Sequence, residues 1–343
     1  MEIGIIGLPQ SGKSTLFRIM TGVAEGAGFN DPVVRGVSRV PDSRFDRLAS
    51  VFGPEKVTPA SVPFLDVRAQ EGSGWDLIRK SLVNADGILH VIDGFTTSST
   101  EEVIRRYRKL EDELIFADLI AVEHRIERLS KLSRQQIKPD ETVQARLLPR
   151  IKETLEKGET MRRLPFSPEE THALRGFAFW TLRPEVVVIN ERDDNRSLAD
   201  EVEKTGQIRS PLIGIACRME AEIAELAPGE RHEFLAHMGE SEPAFERIIR
   251  TCFGLTGRIC YFTVGEDEVR AWVVPAGSTA PRAAAAIHKD FERGFIKAEV
   301  VSYDDFVACG ETLAAAKAKG RQRLEGKDYI VQDGDIISFR FNV

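Results

Sequence analysis

Gly7 and Gly12 frame a four-residue gap and are followed at once by Lys13, Ser14 and Thr15. Glycines at that spacing let a backbone fold round a phosphate with its N–H groups pointing inward. A helix starting there presents the anion with unpaired N–H groups and its positive dipole end. In such a loop Lys13 reaches the β- and γ-phosphates and the Ser14 hydroxyl holds a Mg²⁺ ion. The flanks fit: Glu2 to Ile6 reads as a short apolar strand, and Leu16-Phe-Arg-Ile-Met20 as the helix.

Other carboxylates and amides fall where a nucleotide-binding α/β domain needs them. Ser61-Val-Pro-Phe-Leu-Asp66 is an apolar run ending in a carboxylate, and Asp66 is the candidate metal-supporting residue. Asp93 ends a second run, Gly87 to Asp93, and competes for that role. The run before it reads as a buried parallel strand, so Asp66 is preferred, and His90 within the run reads as a core histidine. After Asp66 the sequence continues Val-Arg-Ala69-Gln70, so alanine replaces the glycine of a GTPase-type Asp-x-x-Gly. Gln70 stands where a glutamine would orient attacking water. The loop from Val23 to Gly36 has the composition of a switch loop, yet no threonine occurs between Gly22 and Val57. Further on, Pro184 to Asn190 reads as a strand ending in Asn190-Glu191-Arg192-Asp193, the base-reading position of GTPase-like domains, with Glu191 in place of the usual lysine. Pro211 to Arg218 reads as the last strand and its base-contacting loop.

The elements that must position these residues form an α/β, doubly wound P-loop domain interrupted by helices. Ile115, Leu119, Val122, Ile126 and Leu129 alternate steps of four and three, a coiled-coil seam. Lys138-Pro139-Asp140 breaks the helix, and Leu147, Ile151 and Leu155 continue a face running back, giving an inserted antiparallel arm. Arg125, Arg128, Lys131, Arg134 and Lys138 recur along it as a basic stripe that suits an RNA backbone. From Gly257 onward, strand and helix patterns mix as in a small α+β module. The expected domains are 1–100 with 176–256, the arm 101–175, and the C-terminal module 257–343.

Composition bounds the class. The chain has 343 residues, 42% hydrophobic and 29% charged, with a net charge of −7, so bulk charge carries no nucleic-acid signal. Its four cysteines, Cys217, Cys252, Cys260 and Cys309, form no metal-binding spacing, and reduced thiols are expected. No apolar run approaches the roughly 20 residues that span a bilayer, so a cytoplasmic protein is expected.

Taken together, Gly7-Leu-Pro-Gln-Ser-Gly-Lys-Ser-Thr-Leu-Phe17, Val40-Pro-Asp-Ser-Arg44 and Met219 to Leu226 resemble the Obg-like ATPase (YchF) family of P-loop proteins. So do Glu268 to Trp272, Ile287 to Val300 and Tyr329 to Ile337, which resemble that family's TGS (β-grasp-like) module. The resemblance covers nearly the whole chain. It implies ATP binding preferred over GTP, slow hydrolysis with Mg²⁺, and association with the ribosome or RNA through the arm and TGS module. By position, Gln10, Ser11, Gly12, Lys13, Ser14 and Thr15 would wrap the phosphates, and Asn190 and Glu191 would border the base. This chain departs from the family pattern at Gln10-Ser11, Asn30, Ala69, Gln70 and Asp193. Lys13 and Gln70 are the expected catalytic residues. A non-catalytic nucleotide-gated binding protein is the alternative, and a small-molecule kinase a more distant one.

Overall fold

The computed structural model describes residues 1–26, 31–67, 78, 80–132 and 138–342. In chain order these give β1 (Ile3–Ile6), α1 (Lys13–Thr21), β2 (Val33–Arg39), α2 (Ser43–Phe52), β3 (Lys56–Thr58), β4 (Ser61–Val67) and β5 (Gly87–Asp93). The arm follows as α3 (Thr100–Ser130) and α4 (Pro139–Glu156), then α5 (Pro168–Leu174), β6 (Glu185–Asn190), α6 (Leu198–Lys204) and β7 (Leu212–Ile215). Helices α7 (Cys217–Glu225), α8 (Pro228–His237) and α9 (Ala244–Leu255) lead to β8 (Arg258–Thr263), β9 (Glu268–Pro275), α10 (Ala280–Ile287) and α11 (Lys289–Arg293). The chain closes with β10 (Phe295–Ser302), α12 (Tyr303–Ala308), α13 (Leu313–Ala318), β11 (Arg323–Glu325) and β12 (Asp335–Phe341). It divides into two compact units, Met1–Gly36 with Pro63–Ile248, and Val37–Val62 with Ile249–Val343.

The first unit is built on a sheet of order β2-β4-β1-β5-β6-β7, with β1 parallel to both β4 and β5. All of β6 and all of β5 except Asp93 are buried, as continuous apolar runs covered on both faces must be. The chain moves out from β1 in both directions, and ligands of such sheets sit at the carboxyl ends of the strands beside that reversal.

The expected helical seam forms. Ile115, Val122 and Leu129 of α3 are buried with Leu147, Ile151 and Leu155 of α4, and Leu119 and Ile126 pack against them. Pro139 is the first residue of α4, where its missing N–H costs nothing. Asp118 pins α3 to the segment preceding β6, accepting from Trp180 N (3.0 Å), Thr181 N (2.7 Å) and Thr181 Oγ1 (2.8 Å).

The second unit has a sheet of order β11-β10-β12-β8-β9-β3. Tyr261, Phe295, Ala298 and Ile337 pack with Ala280, Ala283 and Ala284 of α10, and the Tyr261 hydroxyl donates to Ala283 O at 2.9 Å. Along β8 the neighbouring residue, Phe262, points to the other face and meets Phe45 of α2, with ring centroids 6.0 Å apart. Phe52 stacks on Phe306, Arg44 pairs with Asp333 at 2.8 Å, and β3 pairs parallel with β9. Sequence order alone placed residues 37–62 within the P-loop domain; these contacts group them with the C-terminal module. The reason is the apolar side of α2, where Phe45 and Leu48 are almost fully buried. The four cysteines are free and buried, as expected.

Burial pushes the Asp118 carboxyl up to about 6, although its three donors act the other way. A folded-state value above the unfolded one means its contribution is intact at low pH and is lost as pH rises from about 4 to about 6. Urea unfolding of the protein and of Asp118→Asn, compared at pH 4 and pH 7, should show the native chain losing about 3 kcal/mol relative to the variant over that window. Parallel pH profiles would show that Asp118 has no such shift.

Candidate functional site

The loop from Gly7 to Gly12 joins β1 to α1, at the carboxyl end of the sheet's central strand. Its two glycines are fixed by different constraints. A Cβ on Gly7 would lie 2.3 Å from Val91 O, and one on Gly12 would lie 2.3 Å from Asn190 Nδ2. Gly12 also has φ 98°, in the left-handed region. Gln10 adopts φ 62° without being glycine. Gly12 is the N-cap of α1 and supplies no side-chain cap, so the first amides of the helix face the loop uncapped.

Lys13 folds back over this loop, donating from Nζ to Leu8 O (2.7 Å) and Gly7 O (3.1 Å). Burial lowers its pKa, and the nearby charge of Asp66 opposes that. Asp66 is wholly buried on β4, in register with Ile5 of β1. Ser14 and Thr15 follow in the first turn, and together with Gln10 they line a cavity of about 1100 Å³. The volume is slightly above the range of about 300–1,000 Å³ usual for small-ligand sites.

Asn190 closes the other side. Its Nδ2 donates to Ser11 O (3.2 Å) and its Oδ1 accepts from Cys217 N (3.2 Å), so one buried amide ties the first loop to the last. Glu191 also borders the cavity, but its carboxylate accepts from Ala199 N at 2.6 Å, capping α6. Burial raises its pKa. Asp193 stands exposed at the rim. Phe95, 38% exposed, and Arg218 at the start of α7 line the same cavity. Phe95 was not singled out from sequence; its signal was an aromatic directly after the strand-ending Asp93-Gly94.

Asp93 is committed elsewhere. It accepts from Thr96 N (3.1 Å), Thr96 Oγ1 (2.5 Å) and Arg106 Nη1 (2.7 Å). His90 is a core residue as expected, 3.2 Å from Glu185 Oε1. The basic stripe is not continuous. Arg125 turns inward, donating to Gln144 Oε1 (2.9 Å) and pairing with Glu141 (3.0 Å), because the arm buries its stem against α4. Arg128, Lys131 and Lys138 are exposed, Lys131 beside Glu127. Asn30, Ala69, Gln70 and Arg134 lie outside the described residues.

A glycine-framed loop with its lysine, a buried carboxylate beside that lysine and one cavity running from the loop to Asn190 are the features of a P-loop nucleotide-binding protein. Residues 259–342 match the family model YchF-GTPase_C, described as a protein of unknown function (DUF933). The chain is 40% identical over 363 residues to the ribosome-binding ATPase YchF of Haemophilus ducreyi, covering 100% of this chain and 99% of that one. It is 37% identical over 367 residues to the Bacillus subtilis protein of the same name, covering all of both. The solved structure of the Schizosaccharomyces pombe YchF GTPase superposes with a TM-score of 0.85 at 26% identity, over 99% of this chain and 97% of that one. The chain belongs to the YchF family.

If Asn190 is the tie described above, Asn190→Ala leaves the Ser11 carbonyl and the Cys217 N–H buried without their partner. Chemical unfolding should then show a loss of about 1–3 kcal/mol. Nucleotide titration of the same variant should show weakened binding. Unchanged stability and affinity would mean that the tie is dispensable.

Proposed function

We propose that this chain is a nucleotide-dependent switch that binds ATP with Mg²⁺, hydrolyses it slowly and associates with the ribosome. The observation that carries the reading is the loop Gly7 to Ser14, with its uncapped helix start and Lys13 held over it. ATP is favoured over GTP because the two bacterial relatives carry the name ATPase, although the Schizosaccharomyces pombe structure carries the name GTPase. At the base end Asn190 and Glu191 are occupied in backbone hydrogen bonds, and Asp193 is the exposed carboxylate at the rim.

The residues present fit a magnesium site of the kind in which nucleotide phosphates and water supply most ligands. The Ser14 hydroxyl lies at the start of α1, and Asp66 is a fully buried carboxylate that faces the Lys13 charge. A bound Mg²⁺ would neutralise charge on the phosphates. Lys13 stabilises negative charge on the same groups, the loop amides orient them, and Gln70 positions the attacking water. Ribosome association is assigned from the names of the relatives, with the exposed Arg128, Lys131 and Lys138 and the C-terminal module as the contacting parts.

A second reading follows from two departures in sequence. Ala69 replaces the glycine of Asp-x-x-Gly, and no threonine is present between Gly22 and Val57. Loss of both would leave a nucleotide-gated binder without turnover. Single-turnover ATP hydrolysis, with and without ribosomes, separates the two. The native chain should exceed Lys13→Ala by at least about tenfold, roughly 1.4 kcal/mol of barrier. Equal rates would reduce the protein to the binding role.

A further inference from the structure

At the pole of the first unit opposite the P-loop, charged side chains gather where the strands begin. Glu185 is the first residue of β6 and Asn190 its last, so about 17 Å of strand separates this region from the nucleotide cavity. Glu185 is 2% exposed and accepts from Tyr107 (3.3 Å) and Ser210 (2.8 Å), with His90 and Arg162 beside it. Burial acts against its charge, but Arg162 and His90 prevail and hold its pKa low. Glu111 shares Arg162 at 3.0 Å, and burial with the neighbouring Glu185 raises its pKa. One carboxylate of the pair is thus kept ionised and the other pushed toward neutrality.

Above this base lies a cavity of about 600 Å³ whose lining residues include four arginines, Arg108, Arg162, Arg163 and Arg209. Against them the wall presents Glu111 and Asp112. Among the described residues Arg108 bonds only to the neutral Gln207, at 2.7 Å. The exposed guanidinium groups of Arg163 and Arg209 have no hydrogen bond or ion pair among the described residues. Arg162 Nη2 is buried and likewise lacks a partner among those residues. Fully paired arginines would read as structure alone. Here one is held rigidly by Glu111 and Glu185 while the donors of its second amino group go unused among the described residues, and an unused buried donor is unfavourable.

We propose that this cavity is a second ligand site, which takes a small phosphorylated molecule through its phosphate groups. Guanidinium forks match phosphate oxygens in paired hydrogen bonds, and arginine is the side chain best suited to that geometry. The concave form and volume suit a small molecule, since ligand cavities run from about 300 to 1,000 Å³. The polar floor of Glu185, Glu111 and Tyr107 is occupied in its own hydrogen bonds, so its role is to hold Arg162 in place.

The test is calorimetric titration of the full chain with inorganic pyrophosphate, in a Lys13→Ala background that weakens the P-loop. The expected result is binding at one equivalent, weakened about tenfold or more when Arg163→Glu and Arg209→Glu are added. The corresponding lysine pair should restore most of the affinity. Both positions are exposed, so the fold should survive, which circular dichroism checks. If the double reversal fails to fold, Arg209→Gln alone gives the same readout. Absence of binding in the Lys13→Ala chain, or affinity indifferent to the arginine changes, overturns the proposal.

Discussion

The Asn190 carboxamide is the interaction on which the nucleotide site depends. It is buried at the end of β6 and donates to the phosphate loop while accepting from the first residue of α7. Two loops separated by about two hundred residues of sequence are therefore held by one rigid planar group. Its amide nitrogen also sets the residue opposite, because it occupies the space a Cβ on Gly12 would need. An alanine at Gly12 would have to displace the tie itself or move the loop.

Around that tie, charge is arranged in two separate clusters at the two ends of the same strands. At the carboxyl ends, Lys13 and Asp66 oppose one another in a setting whose burial penalises the lysine charge. At the amino ends, Glu185, Glu111, Arg162, Tyr107 and His90 form a network in which burial and mutual repulsion are offset by Arg162, with His90 assisting. Removing Arg162 would strand two buried carboxylates, a far larger cost than removing an exposed partner. The arm is rooted in this second cluster through Tyr107 and Glu111 of α3, and through Asp118 a few turns on.

Much of this was legible in the sequence where local pattern and chemistry coincide. The phosphate loop has a spacing that little else requires, and the arm seam repeats every three and four residues, so Gly7 to Ser14 and Ile115 to Leu129 were readable directly. Roles set by a distant neighbour were not. Arg125 keeps the spacing of a basic stripe, but its direction is decided by Glu141, Gln144 and Phe177, elsewhere in the chain. Glu191 looks like a base-reading residue, and only the position of α6 makes it a helix cap. Residues 37–62 sit between two P-loop strands in sequence, and nothing local says that Phe45 packs on Phe262 more than two hundred positions on. The acid–base network at the amino ends is spread over β5, β6, α3 and the turn at Arg162, with no shared motif to announce it.

The central claim is that the cavity between the phosphate loop and Asn190 is an ATP site. Calorimetric titration of nucleotide-free full-length protein with ATP and with GTP, at matched salt and Mg²⁺, addresses it directly. The account predicts that ATP binds about tenfold or more tightly than GTP, a difference of roughly 1.4 kcal/mol. Tighter binding of GTP, or binding of neither nucleotide, would contradict it.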